Sequence, residues 1–433
     1  MGQAPHAWRP PQPHHGRTMS IADRIASHLE VLVEGIGARP PGSPANRRAT
    51  DYLVDTLGAA GLAVEALPFS ARWWEPGPAW LDVDGVSVPV DPAPFSRPCD
   101  VAGRVRRLSR ATELAAAEPD RDSILVIDGE LTIEPLFPKA FPFLDLPEQR
   151  ATIGHLERLR SQAIVAVVES RGANSFFEDP DLEFPYLVVD RPVGYRLRQD
   201  MEVGVRIGGR LDEGPGINVA ARIGAVSLRA GGIGGPGAGS GSRMVVSAHV
   251  DSKVTTPGAF DNAGGVAALL TLAELLGQAE RGIARATRAA PVELVFFNGE
   301  DHYAAPGEQA WLAAADLSTV SQVINVDGAG VAGRGTTVAP LACPPDIEQR
   351  LETVVARRPG WTVVPPWYES DHSIFAMRGI PSLAITSDDL HGLLADVAHT
   401  ERDTLDIVDP VLLAGVVDFI DSWLRETAPS GES

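Results

Sequence analysis

The sequence predicts an α/β protein: a mostly parallel mixed sheet sandwiched by helices, with a β-rich domain inserted into it. Three observations carry that expectation. From Gly216 onward, apolar runs of strand length alternate with longer stretches of helical periodicity, the pattern of a parallel sheet covered on both faces. Two helical stretches, Ser20 to Gly37 and Pro44 to Gly61, stand near the start, separated by the Pro/Gly break ARPPGS. Between about Ser70 and Pro215 the character shifts to short strands with turn signals and few helices.

Taken in order, residues 1–19 (MGQAPHAWRPPQPHHGRTM) are rich in Pro, His and Arg and lack the apolar centre of a signal peptide. They read as a disordered tail, with His14-His15 part of it rather than a metal site. With no export signal visible, the expected location is the cytoplasm. The two N-terminal stretches predict surface helices, and Leu62 to Phe69 alternates as a strand does. The insert, residues 70–215, is expected to hold strands at Leu81–Val90, Gly103–Leu108, Ser123–Ile127, Ala163–Val168, Tyr186–Val189 and Val203–Ile207, with one helix at Glu148–Gln162. The alternative is that these strands extend the main sheet. Trp73-Trp74 reads as strand packing.

The remaining expected elements belong with residues 20–69, in a domain completed by 216–427; residues 428–433 form a short tail. Ile217–Leu228 and Met244–Ala248 are apolar runs joined by AGGIGGPGAGSGS, which reads as a long hairpin tip, because neither Lys-Ser/Thr nor a helix start follows the glycines as a phosphate loop requires. Then come helix Ala263–Ala279, strand Val292–Phe297, helix Gly307–Ala315, strand Val320–Val326, helix Pro345–Arg357, a short helix at His372–Met377, strand Pro381–Ile385 and helix Pro410–Glu426.

Composition excludes several classes. A net charge of −20 argues against nucleic acid and anionic membranes as partners, since both need clustered Lys and Arg. No run of about 18 apolar residues is seen, so no membrane span is expected. Only Cys99 and Cys343 are present, far apart. Any metal must therefore be held by His and carboxylates.

Those residue types do gather. In open α/β sheets, ligands bind beyond the carboxyl ends of the strands, and polar clusters stand at three such ends: His249-Val250-Asp251, Asn298-Gly299-Glu300-Asp301 and Asp327-Gly328. Asp261 opens a helix, and His399 lies in the late loop VAHTERDT. Asp261 alone could be an N-cap, Glu300-Asp301 a solvated pair and His399 a surface histidine. Jointly they place two histidines and four or five carboxylates on one rim.

The segments AHVDS, GAFDNAGG, FFNGED, INVDG, SDHSIFAMRGIPSLAI and HTERDTLDIVD, in that order, resemble the co-catalytic zinc exopeptidases of the M28 family. GARPPGSPANRRATDYL resembles their N-terminal helices, and the insert resembles, more weakly, a protease-associated domain. The resemblance implies two zinc ions per chain. Asp261 would bridge them, His249 and Asp327 would complete one site, and Asp301 and His399 the other. Asp251 would orient His249, and Glu300 would be the general base. It also implies a cis peptide at Asp261-Asn262. One position departs from the family pattern: Asp301 stands where Glu is usual. The shorter side chain requires the metal to shift or the loop to reach further. His302 reads as an exposed loop histidine, His372 as a possible substrate contact, and His391 as a weak competitor of His399. Ser370-Asp371-His372 is not expected to form a triad, because triads converge from separate segments.

The function expected from the resemblance is a zinc-dependent exopeptidase acting on peptides, most directly an aminopeptidase. Rivals are a carboxypeptidase, a glutaminyl-cyclase-like acyltransferase and a non-catalytic binding module; retention of Glu300 argues against the last.

Overall fold

Ser and Pro set the first two helices. In this computed structural model, which describes residues 19–91, 93–140, 146–169, 176–223, 242–280, 291–302 and 304–426, Ser20 and Asp23 form a capping box that opens α1 (Ile21–Leu29). Ser43 Oγ accepts from the Asn46 N–H, with Pro44 in the first turn, to open α2 (Pro44–Ala59). Two long strands follow the same path in opposite directions: β1 (Ala63–Val83) and, much later, a partner that runs antiparallel to it. β1 turns at Asp84-Gly85, both at positive φ, into β2 (Val86–Val90). The single strand expected over Leu81–Val90 is thus a hairpin, because an Asp-Gly pair favours the tight turn.

Within residues 70–215, the expected insert, come β3 (Cys99–Leu108), α3 (Ala111–Ala116), β4 (Ser123–Ile127), α4 (Pro147–Leu159), β5 (Ala163–Val168), β6 (Tyr186–Asp190) and the one-turn α5 (Arg191–Gly194). The return strand β7 (Glu202–Ile223) then leads to β8 (Arg243–His249), α6 (Gly264–Glu280), β9 (Val292–Phe297), α7 (Pro306–Ala314), β10 (Val320–Val326), β11 (Thr336–Leu341), α8 (Pro345–Val355), β12 (Trp361–Val363), α9 (His372–Ala376), β13 (Ser382–Ser387), α10 (Leu390–Asp396) and α11 (Pro410–Glu426).

Among the described residues, all strands join one 13-stranded sheet, ordered β12-β11-β13-β10-β8-β9-β7-β3-β4-β5-β6, with β1 on β7 and β2 on β1. The central β13-β10-β8-β9 pairs are parallel, whereas β7 and β11 run antiparallel to their central neighbours. Alternation along the strands decides what each face meets. Val246, Leu294, Phe296 and Ile324 point into a core with α1, α2, α6 and α11, while Val245, Val295, Phe297 and Val323 point the other way, onto Trp311 of α7 and Phe375 of α9. The insert repeats this pattern on its own strands. Ile124, Val126 and Val165 pack with β1 and β7, and Leu125, Ile127 and Ile164 pack beneath α4.

The ladder passes from one region to the other through β1 and β7 alone, so the insert's strands continue the hydrogen-bonded sheet while their apolar clusters stay apart from the central ones. The register slips between Pro76 and Ala79. Gly77 is needed there, because a Cβ would lie 2.1 Å from the Gly209 nitrogen.

Two expectations fail. The apolar runs around Ile217 and Met244 are not hairpin partners: β9 lies between β7 and β8, so the connection crosses over a strand. The glycine-rich tip itself, within residues 224–241, lies outside the described residues, as do the tails 1–18 and 427–433. The second concerns membrane-length runs. Among the described residues one stretch, Ala259–Ala279, is long and apolar enough to cross a membrane, but 89% of its most apolar window is buried inside the protein. It is the core helix.

Candidate metal centre

Three adjacent strands, β10, β8 and β9, end at one rim. β8 finishes on His249 and the chain places Asp251 just beyond, both fully buried. β9 leads into Asn298-Gly299-Glu300-Asp301, and β10 into Asp327. Asp261 sits in the tight turn Ala259–Ala263 ahead of α6, and its peptide to Asn262 is cis. His399 follows α10 with φ at +60°.

The Asp261 carboxylate divides its oxygens between two histidines. Oδ1 lies 3.0 Å from His249 Nε2, and Oδ2 lies 3.2 Å from His399 Nε2. Each histidine has a further carboxylate of its own: Asp327 Oδ1 is 3.3 Å from His249 Nε2, and Asp301 Oδ1 is 2.8 Å from His399 Nε2. Glu300 Oε2 stands back at 3.8 Å from His249 Nε2. Asp301 thus reaches its histidine although its side chain is short.

Asp251 does more than face His249. Its Oδ1 is 3.7 Å from His249 Nδ1, beyond hydrogen-bond range, but it accepts the backbone N–H of Gly299 at 2.6 Å and of Glu300 at 3.3 Å. It therefore fixes the loop that carries Glu300.

Both ring nitrogens of His249, Asp251 Oδ2 and Asp301 Oδ2 are buried without a hydrogen-bond partner, which is costly unless something else satisfies them. Burial alone would depress the His249 imidazole, but the carboxylates of Asp327 and Glu300 raise it well above its ordinary value. Glu300 is itself pushed up, by burial first and then by Asp327 and Asp301. A crowd of acids that raise each other's proton affinity is a place for cations. Imidazole nitrogens and carboxylate oxygens, with no thiolate in reach, suit zinc, and the residues present fit that metal.

Residues that the sequence reading overlooked hold this rim together. Arg39, from the ARPPGS break, is fully buried; its guanidinium donates to the carbonyls of Val250, Pro257 and Gly258, and its N–H donates to Ser252 Oγ. It staples the loop between Asp251 and Asp261. Asp403 accepts the N–H groups of Phe260 (2.6 Å) and Asp261 (3.0 Å), and burial together with Asp261 pushes its carboxyl up to about 7. Asn46 and Asn298 exchange reciprocal side-chain hydrogen bonds, both 2.8 Å. The only signal for these groups was their place inside the quoted motifs.

Other assignments change. His302 is not exposed: it is buried, bonded to the Arg72 carbonyl and edge-on to Phe95, and burial pushes it down to about 4. His372 is also buried and does not line the cleft; its Nε2 meets the Trp367 carbonyl at 2.8 Å. That bond leaves no triad with Ser370 and Asp371. His391 is exposed and takes no part in the cluster.

The rim opens into a cleft of about 740 Å³. Glu134 to Pro138 and Glu178 of the insert form part of its wall, and Trp367 and Tyr368 form another. Among its charged groups acids predominate, and Lys253 is the one Lys or Arg among the described lining residues.

Residues 234–423 match the model of Peptidase family M28. A protein named probable lipoprotein aminopeptidase LpqL, from Mycobacterium tuberculosis, is 24% identical, the match covering 92% of this chain and 83% of that protein. Among solved structures, an aminopeptidase from Aneurinibacillus sp. strain AM-1 has a TM-score of 0.72 at 17% identity, over 95% of both chains. BSAP, a zinc aminopeptidase from Bacillus subtilis, has a TM-score of 0.69 at 16% identity, over 96% of this chain and 98% of that one. The shared fold thus extends across residues 70–215 as well as the rest of the described chain.

Proposed function

We propose that this chain, whose residues 234–423 match the model of Peptidase family M28, is an aminopeptidase that removes N-terminal residues from peptides at a two-zinc centre. The observation that carries the two-metal reading is the divided Asp261 carboxylate, with one oxygen toward His249 and the other toward His399. His249 and Asp327 would hold one ion, Asp301 and His399 the other, and Asp261 both. Zinc held there supplies a Lewis acid that polarises the scissile carbonyl and makes the attacking water more acidic.

The chain's own groups do the rest. Glu300, anchored through its backbone by Asp251, takes the proton of the attacking water as the C–O bond forms. It then gives that proton to the leaving amine nitrogen as the C–N bond breaks. The acid-lined cleft favours the cationic α-amine of an unblocked peptide. Among the described lining residues, a substrate carboxylate would find only Lys253, already engaged with Glu178 and the Asp301 carbonyl, which disfavours carboxypeptidase action. The separate apolar clusters support reading residues 70–215 as an inserted unit in a peptidase domain built from 20–69 and 216–427.

The test is hydrolysis of a free dipeptide and its N-acetylated form, with and without chelator. Cleavage of the free form alone, abolished by chelator and restored by zinc, is expected. Equal cleavage of both forms would overturn the aminopeptidase reading.

A further inference from the structure

Among the described residues, the insert meets the metal rim at a charged pair. Lys253, two residues past Asp251, has its ammonium 3.1 Å from Glu178 Oε1 of the insert and donates to the backbone carbonyl of Asp301 at 2.6 Å. Both side chains are largely buried, with 18% and 20% of their surface exposed. The bond to Asp301 goes to the main chain, so it leaves the carboxylate free to face His399. Asp301 also has a short side chain, so its approach to His399 depends closely on where its backbone is held. A bond that pins that backbone is what such a short ligand requires.

Charge alone predicts the opposite effect. An ammonium beside a cation site repels the cation. Glu178 cancels that charge locally, so the pair as a whole is neutral and its remaining action is positional. We propose that Lys253 is a positioning residue for the Asp301–His399 subsite, held in place by Glu178, so that the inserted domain sets the metal affinity of that one subsite.

This inference rests on the two-metal reading above, and the experiment keeps the two apart. The full-length protein is stripped with chelator and titrated with zinc alone, reading stoichiometry and affinity directly. The double variant Lys253→Met/Glu178→Gln removes one positive and one negative charge together, so net charge is constant and only positioning is lost. One of the two zinc equivalents is expected to weaken about 10- to 100-fold, the usual effect of losing a group that orients a ligand, while the other stays within about threefold. Glu178→Gln alone, which unmasks the lysine charge, should weaken the same equivalent, and Lys253→Arg with Glu178 intact should restore much of the affinity. If the parent binds fewer than two zinc ions, the two-metal reading fails. If the parent binds two and the double variant's isotherm overlays it, or both equivalents weaken alike, the positioning role is overturned. Should the double variant not fold, an unchanged isotherm for Glu178→Gln gives the same refutation.

Discussion

Replacing Glu300 by Gln separates chemistry from structure at this site. The amide keeps the size of the side chain but cannot take a proton from water. Its backbone is held independently by Asp251, which accepts the N–H groups of Gly299 and Glu300, so the loop has no cause to move. Glu300 is also the outermost carboxylate around His249, 3.8 Å away against 3.0 Å for Asp261 and 3.3 Å for Asp327, so zinc content should survive. Burial among Asp327 and Asp301 raises the Glu300 carboxyl well above its ordinary value. A neutral amide there relieves repulsion, and thermal stability should hold or rise. The expected loss of kcat/KM on an unblocked dipeptide is about 10²- to 10⁴-fold, roughly 2.7 to 5.5 kcal/mol of barrier. Hydrolysis within about tenfold of the parent by a fully zinc-loaded variant would refute the general-base assignment, since that lies below the range such catalysis commands.

Further perturbations probe the frame around the site. Asp301→Glu should weaken zinc at the His399 subsite in a titration, because Asp301 Oδ1 already lies 2.8 Å from His399 Nε2 and an added methylene in a buried position overpacks it; tighter binding would refute this. Glu293, fully buried between Arg222 (3.0 Å) and Arg243 (2.6 Å), should cost about 3–5 kcal/mol in urea unfolding when changed to Gln, since two buried guanidiniums lose their counter-charge. Burial pushes His372 down to about 4, so below about 6.5 the unfolded chain takes up a proton that the folded chain refuses. Stability should be full above that pH and fall toward pH 4, by about 3 kcal/mol from this residue, a slope that urea midpoints for His372→Gln should lack.

The central strands were legible because both of their faces are buried, which leaves continuous apolar runs such as Val292–Phe297 and Val320–Val326 that end where the polar residues begin. Most of the polar cluster was legible for the same reason, since every member but His399, which lies in a loop after α10, stands next to such an end or at a helix start. β11 was missed: its Thr336-Thr337 start and Pro340 break the apolar pattern, although it pairs with β13 along its length. The hairpin expectation failed because a strand from later in the chain, β9, inserts between β7 and β8, and no local pattern can announce that. Arg39, Lys253, Glu178 and Asp403 escaped for a related reason. Their roles arise from contacts across long sequence separations, such as Arg39 with Val250 and Glu178 with Lys253. Local periodicity registers a side chain's own face, not the backbone it will meet.

The most direct measurement is the number of zinc ions per folded chain, by native mass spectrometry, for the parent and for Asp261→Ala. A carboxylate shared between His249 and His399 predicts two ions in the parent and weakened binding of both in the variant, whereas Asp301→Ala should lose one and keep the other. One ion in the zinc-saturated parent, or two retained at parental affinity without Asp261, would contradict the bridged two-metal centre.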